Sequence, residues 1–412
     1  MKIIDIRVRT CSIPIEAPTR HSYASPSFYT RTIVELITDE TVQGLPLIGL
    51  GETYGTVAAS AFEPLRPFLI GADPFDLQRL LIQIRQRGYI SRQPMLAAPI
   101  EFACLDLQGK AIGRPVYQLL GGKVRDEIEV AAYVFFRYAN ADRGLSAVTT
   151  PEELVSYTRD LITRYGFHTI KLKGGVFEPQ YEVACLRALR EAFPLPAYQL
   201  RYDPNAILSP ATAIQLGHQL APLDLEYYED PTWGIRGMSQ VHAKVPQPLA
   251  TNMAVIEFET LPAAVEQRAF DVVLSDLWYY GGCLITKHLD FVAPHLGLAV
   301  GMHSGVEFGL GTAHMLHCAA AMPNLVHAID SHYHHLTDDI LTEPLTYQSG
   351  HMRPPEGPGW GVALDEDKVG HYEELCRKLR SGQLQGTHLS EDYYTYPPDP
   401  ERPQWYAQVP SW

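Results

Sequence analysis

The 412-residue chain has no long run of basic residues, no paired-cysteine motif and no extended apolar segment. Its formal net charge is −14, with 33 Lys and Arg against 47 Asp and Glu, which argues against nucleic acid or an anionic membrane as a partner. No apolar run reaches the roughly 18 residues of a membrane-spanning helix, and the first residues alternate in polarity as a strand does, unlike a signal peptide. We therefore expect a soluble, cytoplasmic protein.

The cysteines are few and dispersed. None belongs to a CxxC motif and their flanks are mostly apolar, so we expect buried, reduced thiols. The six are Cys11, Cys104, Cys185, Cys283, Cys318 and Cys376. With 46% hydrophobic and 19% charged residues the composition is that of a globular protein. The length exceeds one ordinary core and predicts either a barrel with a second unit or two domains.

Residues 1–52 have the pattern of three antiparallel strands, KIIDIRVRT, TRTIVELITD and the run that ends at GLGET. The intervening loop at 15–29 is long for a hairpin, which is typical of a lid or a disordered segment. Helical patterns follow, at 57–69, 75–86 and 95–112. Strands followed by a group of helices predict an α+β unit.

From residue 128 onward, short apolar runs alternate with helical patterns. The eight runs lie at 128–136, 168–173, 198–203, 225–230, 248–253, 270–276, 298–304 and 325–330, and helix candidates include 151–165, 178–193 and 306–322. The runs are too apolar to be half exposed, as is typical of parallel strands. We predict an α/β fold with a (β/α)8-type barrel. The period stops after Asp338, residues 365–380 look helical, and the Pro- and Tyr-rich tail fits a surface or subunit contact; we expect a homo-oligomer.

Three oxygen-bearing side chains each follow an apolar or aromatic run: Asp203 in RYDPNA, Glu229 in YYEDP and Asn252 in LATNM. They recur at roughly 25-residue intervals, the length of one strand, one helix and two loops, so they can lie at one end of successive parallel strands. Carboxylate and amide oxygens, without Cys or His, suit Mg²⁺ better than zinc or copper. The alternative is a simple turn at each strand end, since Asp203 and Asp230 both precede a proline.

Lys171 and Lys173 end the run HTIKLK. Alternate residues of a strand share a face, so both amines would point into the same mouth of the barrel. Adjacent ammonium groups repel each other, which predicts a lysine pKa lowered from about 10.4 towards the roughly 7–8 of a general base. Asn205 shares a face with Asp203 and could hydrogen-bond a lysine or a substrate. The alternative is that both lysines are solvated at a strand end.

Asp276 and His303 lie at the ends of adjacent predicted strands. A carboxylate on one strand can accept a hydrogen bond from an imidazole on the next, which fixes the tautomer and raises the imidazole pKa. His303 would be a second acid–base group, across the barrel from the lysines. Most of the 16 histidines are expected to be structural, but His332 could reach the mouth from the last strand.

Two bases on either side of a Mg²⁺ suit one class of reaction, the removal of a proton α to a carboxylate. The metal would bind the substrate carboxylate and stabilise the enediolate that forms. If the β-carbon carries a hydroxyl group, an acid can protonate it and water leaves.

Six short motifs carry a resemblance to a known family. They are KLK (171–173), DPN (203–205), EDP (229–231), LATNM (249–253), LSD (274–276) and MHS (302–304). Together they resemble the glucarate dehydratase group of the enolase superfamily, in which an asparagine in LATNM is the third metal ligand. TRTIVEL, GLGET and GPGWGVALD extend the resemblance over nearly the whole chain.

The resemblance implies a domain organisation and roles for the site residues. A capping domain, residues 1–125 completed by the C-terminal segment 340–412, would close over a barrel formed by residues 126–339. Lys173 would be the base on one face of the substrate, with Lys171 beside it. The implied partners on the other face are Asp276 and His303, with His303 also the acid that expels the β-hydroxyl group. Substrate contacts are implied for Tyr133, Lys171, Asn205, Asn252, Ser304 and His332.

The chain departs from the group's pattern at three positions. Gly305 replaces the asparagine of HSN, Ser25 lies about where the cap loop usually has a histidine, and Ala98 lies where threonine is expected. These departures leave the expected metal ligands and bases intact. The resemblance therefore implies an acid-sugar dehydratase, a carbon–oxygen lyase, and the departures indicate that its substrate need not be glucarate.

Three hypotheses therefore remain. The first is a Mg²⁺-dependent dehydratase of a small-molecule aldarate or aldonate that yields a 2-keto-3-deoxy acid. The second is a racemase or epimerase, which needs the same two bases and no leaving group. The third is a non-catalytic barrel that binds a sugar acid. Exchange of α-protons in D₂O without keto-acid formation would favour the second over the first.

Overall fold

The computed structural model describes residues 1–22, 25–87 and 94–384. An antiparallel sheet in the order β1–β2–β3 begins the chain, and its strands are β1 (Ile3–Pro14), β2 (Phe28–Val42) and β3 (Leu45–Glu52). β-branched side chains pair across this sheet, for example Val8 with Val34. The three strands predicted within residues 1–52 are thus present.

Helices follow this sheet: α1 (Arg66–Leu69), α2 (Leu77–Arg87), α3 (Pro94–Ile112) and α4 (Val116–Leu119). The single helix predicted for 57–69 is wrong, because two 3₁₀ turns precede the short α1. Pro64 and Pro67 lie at the starts of successive turns, where their missing N–H groups interrupt a continuous helix. Gly51 of β3 lets α3 approach closely, since a Cβ there would lie 2.0 Å from the Pro99 carbonyl oxygen.

The second half of the chain forms a seven-stranded parallel sheet in the order β11–β10–β9–β8–β7–β6–β5. Its strands are β5 (Ala132–Phe135), β6 (Thr169–Lys173), β7 (Gln199–Asp203), β8 (Tyr227–Glu229), β9 (Leu249–Thr251), β10 (Val272–Ser275) and β11 (Ala299–Met302). A separate antiparallel pair joins β4 (Ile128–Glu129) to β12 (His351–Met352). The curled sheet with its surrounding helices confirms the predicted barrel fold.

The remaining helices are α5 (Pro151–Tyr165), α6 (Pro179–Ala192), α7 (Pro210–Leu220), α8 (Gly234–His242), α9 (Leu261–Glu266), α10 (Leu277–Tyr280), α11 (Cys283–Val292), α12 (Gly309–Ala320) and α13 (Glu366–Arg380). The prediction for 151–165 matches α5, while α6 and α12 each lie within their predicted ranges. Thr150 caps α5 in a reciprocal capping box with Glu153, and Gly166 ends the helix in a left-handed conformation.

The eighth predicted strand, at 325–330, differs from the other seven. It makes only isolated parallel bridges, Val300 to Leu325 on one side and Val130 to Ile329 on the other. The backbone N–H groups of Ala131 and Asp330 bond to Ile329 and Met302 carbonyl oxygens at 2.9 and 3.0 Å. The segment therefore closes the gap between β11 and β5 without a regular ladder.

The C-terminal helix α13 packs on the N-terminal sheet. Arg9 of β1 forms a 2.6 Å ion pair with Glu366, and the Cys11 thiol lies 3.7 Å from the Val369 carbonyl oxygen. The described part of the C-terminal segment therefore contacts the N-terminal sheet, and the boundaries, a capping domain of 1–125 with 340–412 and a barrel of 126–339, stay a prediction. The Pro- and Tyr-rich tail predicted to lie on the surface falls in 385–412, outside the described residues.

The loop between β1 and β2 lies against the end of the barrel. The backbone N–H of Arg20 donates to the Phe136 carbonyl at 2.8 Å, and that of Tyr138 donates to Pro18 at 2.9 Å. This part of the cap therefore lies beside the end of β5. All six cysteines are free and buried, as predicted. No helix among the described residues is long and apolar enough to cross a membrane.

Candidate active site

The predicted site residues lie at one end of the parallel strands. Lys173, Asp203 and Glu229 are the last residues of β6, β7 and β8, and the sheet register sets Lys173 beside Asp203. His303 directly follows β11, and its backbone N–H bonds to the Ser275 carbonyl at 2.8 Å. Because all these strands are parallel, the lysines and the imidazole occupy the same mouth of the barrel.

The two lysines lie in a buried cluster of carboxylates. Lys171 Nζ is 2.6 Å from Glu229 Oε2, 2.6 Å from Asp330 Oδ2 and 3.8 Å from Asp203 Oδ2. Lys173 Nζ is 2.6 Å from Asp203 Oδ2. Lys171 and Glu229 have no exposed surface. Charges buried this deeply are tolerated because they are paired, and the loss of one partner would leave another without compensation.

The prediction that the lysine pKa values are lowered is wrong for Lys171. Burial by itself would lower its pKa, but the carboxylates of Asp330, Glu229 and Asp203 outweigh burial and raise it. The sequence argument considered only repulsion between Lys171 and Lys173. In the folded chain each ammonium group lies 2.6 Å from a carboxylate oxygen, a contact that the argument left out. Lys171 is therefore held as a cation.

Lys173 is oriented by a short chain of hydrogen bonds that reaches the cap. Its Nζ donates to Asn205 Oδ1 at 2.8 Å, and the Asn205 amide donates to Ser22 Oγ at 2.9 Å. The Asn205 backbone has φ of 61°, and its N–H donates to Asp203 Oδ1 at 2.8 Å. Asparagine is among the residues that tolerate this left-handed conformation best. The sequence pointed to Asn205, whereas Ser22 was missed because nothing local links the cap loop to β7.

Glu229 has the character of a cation ligand. It is completely buried; its Oε2 pairs with the Lys171 ammonium at 2.6 Å, whereas its Oε1 accepts no hydrogen bond from the described residues. Burial raises its pKa well above the usual value. Its unbonded Oε1 lies in a cluster with the carboxylates of Asp203 and Asp330, and these three acids face the cations of Lys171, Lys173 and Arg201. The donor set therefore fits a divalent cation together with an anionic substrate.

Asn252 follows β9 and lies beside the strand that ends at Glu229. Asp230 fixes this corner, since its Oδ2 accepts from the Asn252 backbone N–H at 2.8 Å and its Oδ1 from Thr251 Oγ1 at 2.5 Å. No group of three Cys, His, Asp or Glu side chains suited to a metal occurs in the part of the chain that the structure describes. A cation site here would thus depend on the Asn252 amide beside the carboxylates of Asp203 and Glu229.

His303 and Asp276 form a directly bonded pair. His303 Nδ1 lies 2.8 Å from Asp276 Oδ2, while Asp276 Oδ1 accepts the backbone N–H groups of Trp278 and Tyr279, both at 2.8 Å. Asp276 is therefore the N-cap of α10 as well as the partner of the imidazole. Since a carboxylate only accepts, Nδ1 carries the proton of this pair, which leaves Nε2 as the ring atom that could exchange a proton with a substrate.

A second hydrogen-bonded chain orients His332. Ser304 Oγ donates to Glu307 Oε2 at 2.6 Å, so it accepts from His332 Nδ1 at 2.8 Å. Burial lowers the pKa of His332 well below its usual value, which keeps the ring neutral. The His332 ring packs 4.4 Å from that of Tyr133, and Lys171 Nζ lies 4.7 Å from the Tyr133 ring centre. These three predicted substrate contacts, Tyr133, Ser304 and His332, are thus joined in one wall.

Two acidic residues of this site were not predicted. Asp330 ends the run LVHAID as Asp203 ends YQLRYD, and that shared pattern was an available signal. Its Oδ1 lies 3.5 Å from Arg201 Nη1, so it connects Lys171 to a second buried cation. Glu307 had no such signal, because it lies in a loop with no repeating pattern; its carboxylate accepts from the Ser304 hydroxyl at 2.6 Å.

The fold and this mouth of charged groups define a capped (β/α)-barrel protein of the enolase type. A family model for the mandelate racemase / muconate lactonizing enzyme N-terminal domain matches residues 3–121, and one for the enolase C-terminal domain matches residues 153–368. The chain belongs to this family and thereby to the enolase superfamily.

Individual relatives match over most of the chain. A probable glucarate dehydratase of Streptomyces coelicolor is 40% identical over 82% of this chain and 83% of its own length. A D-xylonate dehydratase of Haloferax volcanii is 30% identical over 83% of this chain and 85% of its own. A crystal structure of an enolase from Thermobispora bispora, complexed with magnesium and formate, superposes with a TM-score of 0.84 at 38% identity, covering 92% of this chain and 94% of the other.

Proposed function

We propose that this protein is a Mg²⁺-dependent acid-sugar dehydratase. The observation that carries the proposal is the placement of an amine and an imidazole, Lys173 and His303, in one barrel mouth that also holds buried carboxylates. Two of the relatives, a probable glucarate dehydratase and a D-xylonate dehydratase, support the same class of reaction. The substrate would be an aldarate or aldonate, and the product a 2-keto-3-deoxy acid.

We assign Asp203, Glu229 and Asn252 as the Mg²⁺ ligands. Their oxygen donors suit this ion, and the unbonded Oε1 of the buried Glu229 offers it a free donor. When bound, Mg²⁺ would neutralise the substrate carboxylate and reduce the cost of the negative charge that develops on it. A magnesium ion is present in the related structure from Thermobispora bispora.

The chain's own residues account for the proton transfers. Lys173 would take the proton from the carbon α to the carboxylate, held in position by Asp203 and Asn205. Lys171, kept charged by its carboxylate neighbours, would attract the anionic substrate. His303 Nε2 would then give a proton to the β-hydroxyl group as the C–O bond breaks and water leaves. The resulting enol rearranges to the 2-keto acid.

The remaining residues would position the substrate. Tyr133, Ser304 and His332 form one wall of the mouth, and His332 is neutral with Nε2 as its acceptor, which suits a substrate hydroxyl group. Asn205 adjoins Lys173 at the base of the cap loop. We expect a homo-oligomer with a small-molecule acid sugar as its substrate.

An epimerase remains the second candidate, since Lys173 and His303 could exchange the α-proton from opposite faces without any leaving group. The family model that matches the N-terminal domain also covers racemases and lactonizing enzymes. Reaction in D₂O distinguishes the two candidates. Epimerisation incorporates deuterium at the α-carbon without producing a keto acid, whereas dehydration produces one keto acid for each substrate consumed.

The test is a panel of mono- and diacid sugars incubated with the protein and Mg²⁺, followed by assay of 2-keto acids. We expect one or a few acids to react and the reaction to stop when a chelator removes the metal. The matched control is Lys173→Ala assayed on the same panel. No keto acid and no α-deuteration from any member would refute the proposal, leaving the non-catalytic sugar-acid-binding barrel.

A further inference from the structure

A buried carboxylate, that of Glu182, lies behind the strand that ends at Lys173. Glu182 belongs to α6 and has no exposed surface. Its Oε1 accepts the backbone N–H groups of Val176 at 2.7 Å and Phe177 at 2.8 Å. Its Oε2 accepts the N–H of Gly175 at 2.8 Å. One carboxylate thus binds three consecutive N–H groups of the loop that follows β6.

The same carboxylate also contacts the neighbouring strand, β7. The Tyr202 hydroxyl donates to Glu182 Oε2 at 2.6 Å. Tyr202 immediately precedes Asp203, and successive side chains of a strand point to opposite faces, so Tyr202 points towards the helices. The sheet register pairs Lys173 with Asp203, and their charged groups lie 2.6 Å apart. Glu182 therefore connects, from outside the barrel, the two strand ends that form this contact.

Two glycines make room for this arrangement. A Cβ on Gly174 would lie 2.4 Å from Glu182 Oε2 and 2.3 Å from Tyr202 Cε2. Gly175 has φ of 72°, and a Cβ there would lie 2.4 Å from the Pro204 carbonyl oxygen. The loop after β6 thus packs directly on the carboxylate, on its tyrosine partner and on the segment after β7. The Gly-Gly pair that follows KLK in the sequence has a physical reason in these contacts.

The charge of Glu182 suits its four donors. Burial raises its pKa, and the hydrogen bonds from Phe177, Tyr202 and Gly175 oppose that rise. Bonds to an ionised acceptor are stronger than those between neutral groups, and the N-terminal part of a helix favours a negative charge. Glutamine at 182 would keep the shape but place an amide N–H group against one of the backbone N–H donors. The loop therefore requires both carboxylate oxygens.

We propose that Glu182 is a positioning residue for the base Lys173. By fixing the loop 174–177 and the end of β7, it keeps the Lys173 ammonium between Asp203 and Asn205. Glu182 acts through Lys173 and not on the substrate. This proposal rests on the proposed function, and it adds a residue outside the mouth on which the rate of α-proton removal depends.

The first experiment compares the wild-type protein with Glu182→Gln. We expect kcat for the best acid sugar to fall about 10- to 100-fold, because a small displacement of a base is costly. KM should change less than about threefold, since the residues proposed to bind the substrate lie elsewhere in the mouth. The primary isotope effect with α-deuterated substrate should rise. Where Glu182→Gln does not fold, Tyr202→Phe removes only the fourth bond and should lower kcat about 2- to 5-fold.

Asp290→Asn is the matched control. Asp290 of α11 is also buried, and its carboxylate accepts the backbone N–H of Asn324 at 3.1 Å. Asn324 precedes the run 325–330, whose last residue is in the mouth, so this contact lies at the opposite end of the strands. Both variants should lose Tm, but Asp290→Asn should keep the wild-type kcat and isotope effect.

The second experiment asks whether Glu182 acts through Lys173. In a Lys173→Ala background, Glu182→Gln should lower the residual turnover by less than about twofold, because the group that it positions is gone. In a His303→Ala background, α-proton exchange in D₂O still depends on Lys173. There Glu182→Gln should slow the exchange by the same factor by which it lowers kcat in the wild-type protein.

A third measurement needs neither substrate nor metal. Lys173 is 6% exposed, whereas Lys244 is an exposed lysine of the same chain. We expect limited acylation, followed by mass spectrometry, to modify Lys173 about twofold or more faster relative to Lys244 in Glu182→Gln than in the wild-type protein, because the loop opens locally. Asp290→Asn should leave this ratio unchanged.

The outcomes separate the two proposals. If the wild-type protein turns over an acid sugar and Glu182→Gln keeps its kcat, the assignment of Glu182 is overturned and the dehydratase proposal stands. The assignment is also overturned if Glu182→Gln lowers turnover equally with and without Lys173. If no acid reacts, the proposed function fails and the labelling decides the positioning role. An unchanged Lys173 ratio would then overturn that role, and a raised ratio would support it.

Discussion

The lysine side and the histidine side of the mouth are built on different principles. On the lysine side, Lys171 and Lys173 lie among three buried carboxylates, with ammonium-to-oxygen distances as short as 2.6 Å. On the histidine side, His303 has a single carboxylate partner and aromatic neighbours, including a parallel ring at 6.2 Å. One side is held by charge and the other by stacking and one directed hydrogen bond.

The difference indicates which side of the mouth tolerates substitutions with the smaller loss of stability. A buried ionic cluster is costly to alter, because the removal of any member leaves its partners as uncompensated charges. An aromatic wall tolerates changes of shape and of single hydroxyl groups with smaller penalties. We therefore expect the residues on the lysine side to be fixed by the reaction that they carry out. The residues on the histidine side, together with the cap, would determine which substrate binds.

The largest expected effect comes from removal of either acid–base group. Lys173→Ala and His303→Ala should each lower turnover of the true substrate by about 10²-fold or more, because each side supplies a proton transfer that the other cannot replace. The two variants should differ in D₂O, since only the variant that retains Lys173 can still exchange the α-proton on the lysine face. Steady-state kinetics and NMR of the α-carbon measure both effects.

Circular dichroism and Tm serve as controls for folding of these two variants. The Lys173→Ala protein also leaves Asp203 with a more distant ammonium, Lys171 at 3.8 Å, so its Tm should fall more than that of His303→Ala, in which Asp276 keeps two backbone N–H donors. Turnover at the wild-type rate by both variants would contradict the roles given to the two sides.

The second prediction compares matched Asp-to-Asn changes on the two sides. Asp330→Asn removes the shared charge between Lys171 and Arg201, so the free energy of unfolding should fall by about 3 kcal/mol or more. Asp276→Asn keeps an oxygen for the N-cap of α10 and should change stability by no more than about 1 kcal/mol. Its amide N–H would face His303 Nδ1 and force the other tautomer, which should lower turnover by about 10²-fold.

Urea denaturation and steady-state assays on both Asn variants provide the measurement. The expected difference between the two sides is contradicted if Asp276→Asn is the more destabilised protein. It is also contradicted if Asp330→Asn retains the wild-type free energy of unfolding. Glu226→Gln is a useful reference, since it removes the other carboxylate that contacts Arg201 but lies farther from the mouth.

The smallest effect is expected at the contact between cap and barrel. Ser22→Ala removes the hydrogen bond that Asn205 donates, so KM should rise roughly 2- to 10-fold while kcat changes little. Ser12→Ala is the matched control, since its hydroxyl bonds to Thr30 at 2.7 Å within the cap sheet. Both variants should lose similar stability, and equal KM values for the two would show that the Ser22 contact does not orient Asn205.

Many of the site residues could be predicted from the sequence, because the strands of a parallel barrel end in a simple repeated pattern. Asp203, Glu229 and Asp276 each stop an apolar run, and parallel strands bring such positions to one edge. The same pattern extends to Asp330, which ends the run at 325–330 and was not singled out although its position matches that of Asp203. The pKa of Lys171 was predicted in the wrong direction because distances to carboxylates on other strands cannot be read from a single run.

The sequence by itself determined the order of strands and helices, the two-part organisation and the residues at the strand ends, because these depend on local periodicity and on spacing along the chain. Only the tertiary structure decided that Ser22 bonds to Asn205 and that Tyr54 fills the space above Gly305. Those contacts join cap to barrel or loop to loop, and their partners are set by packing between distant segments, for which no local pattern exists.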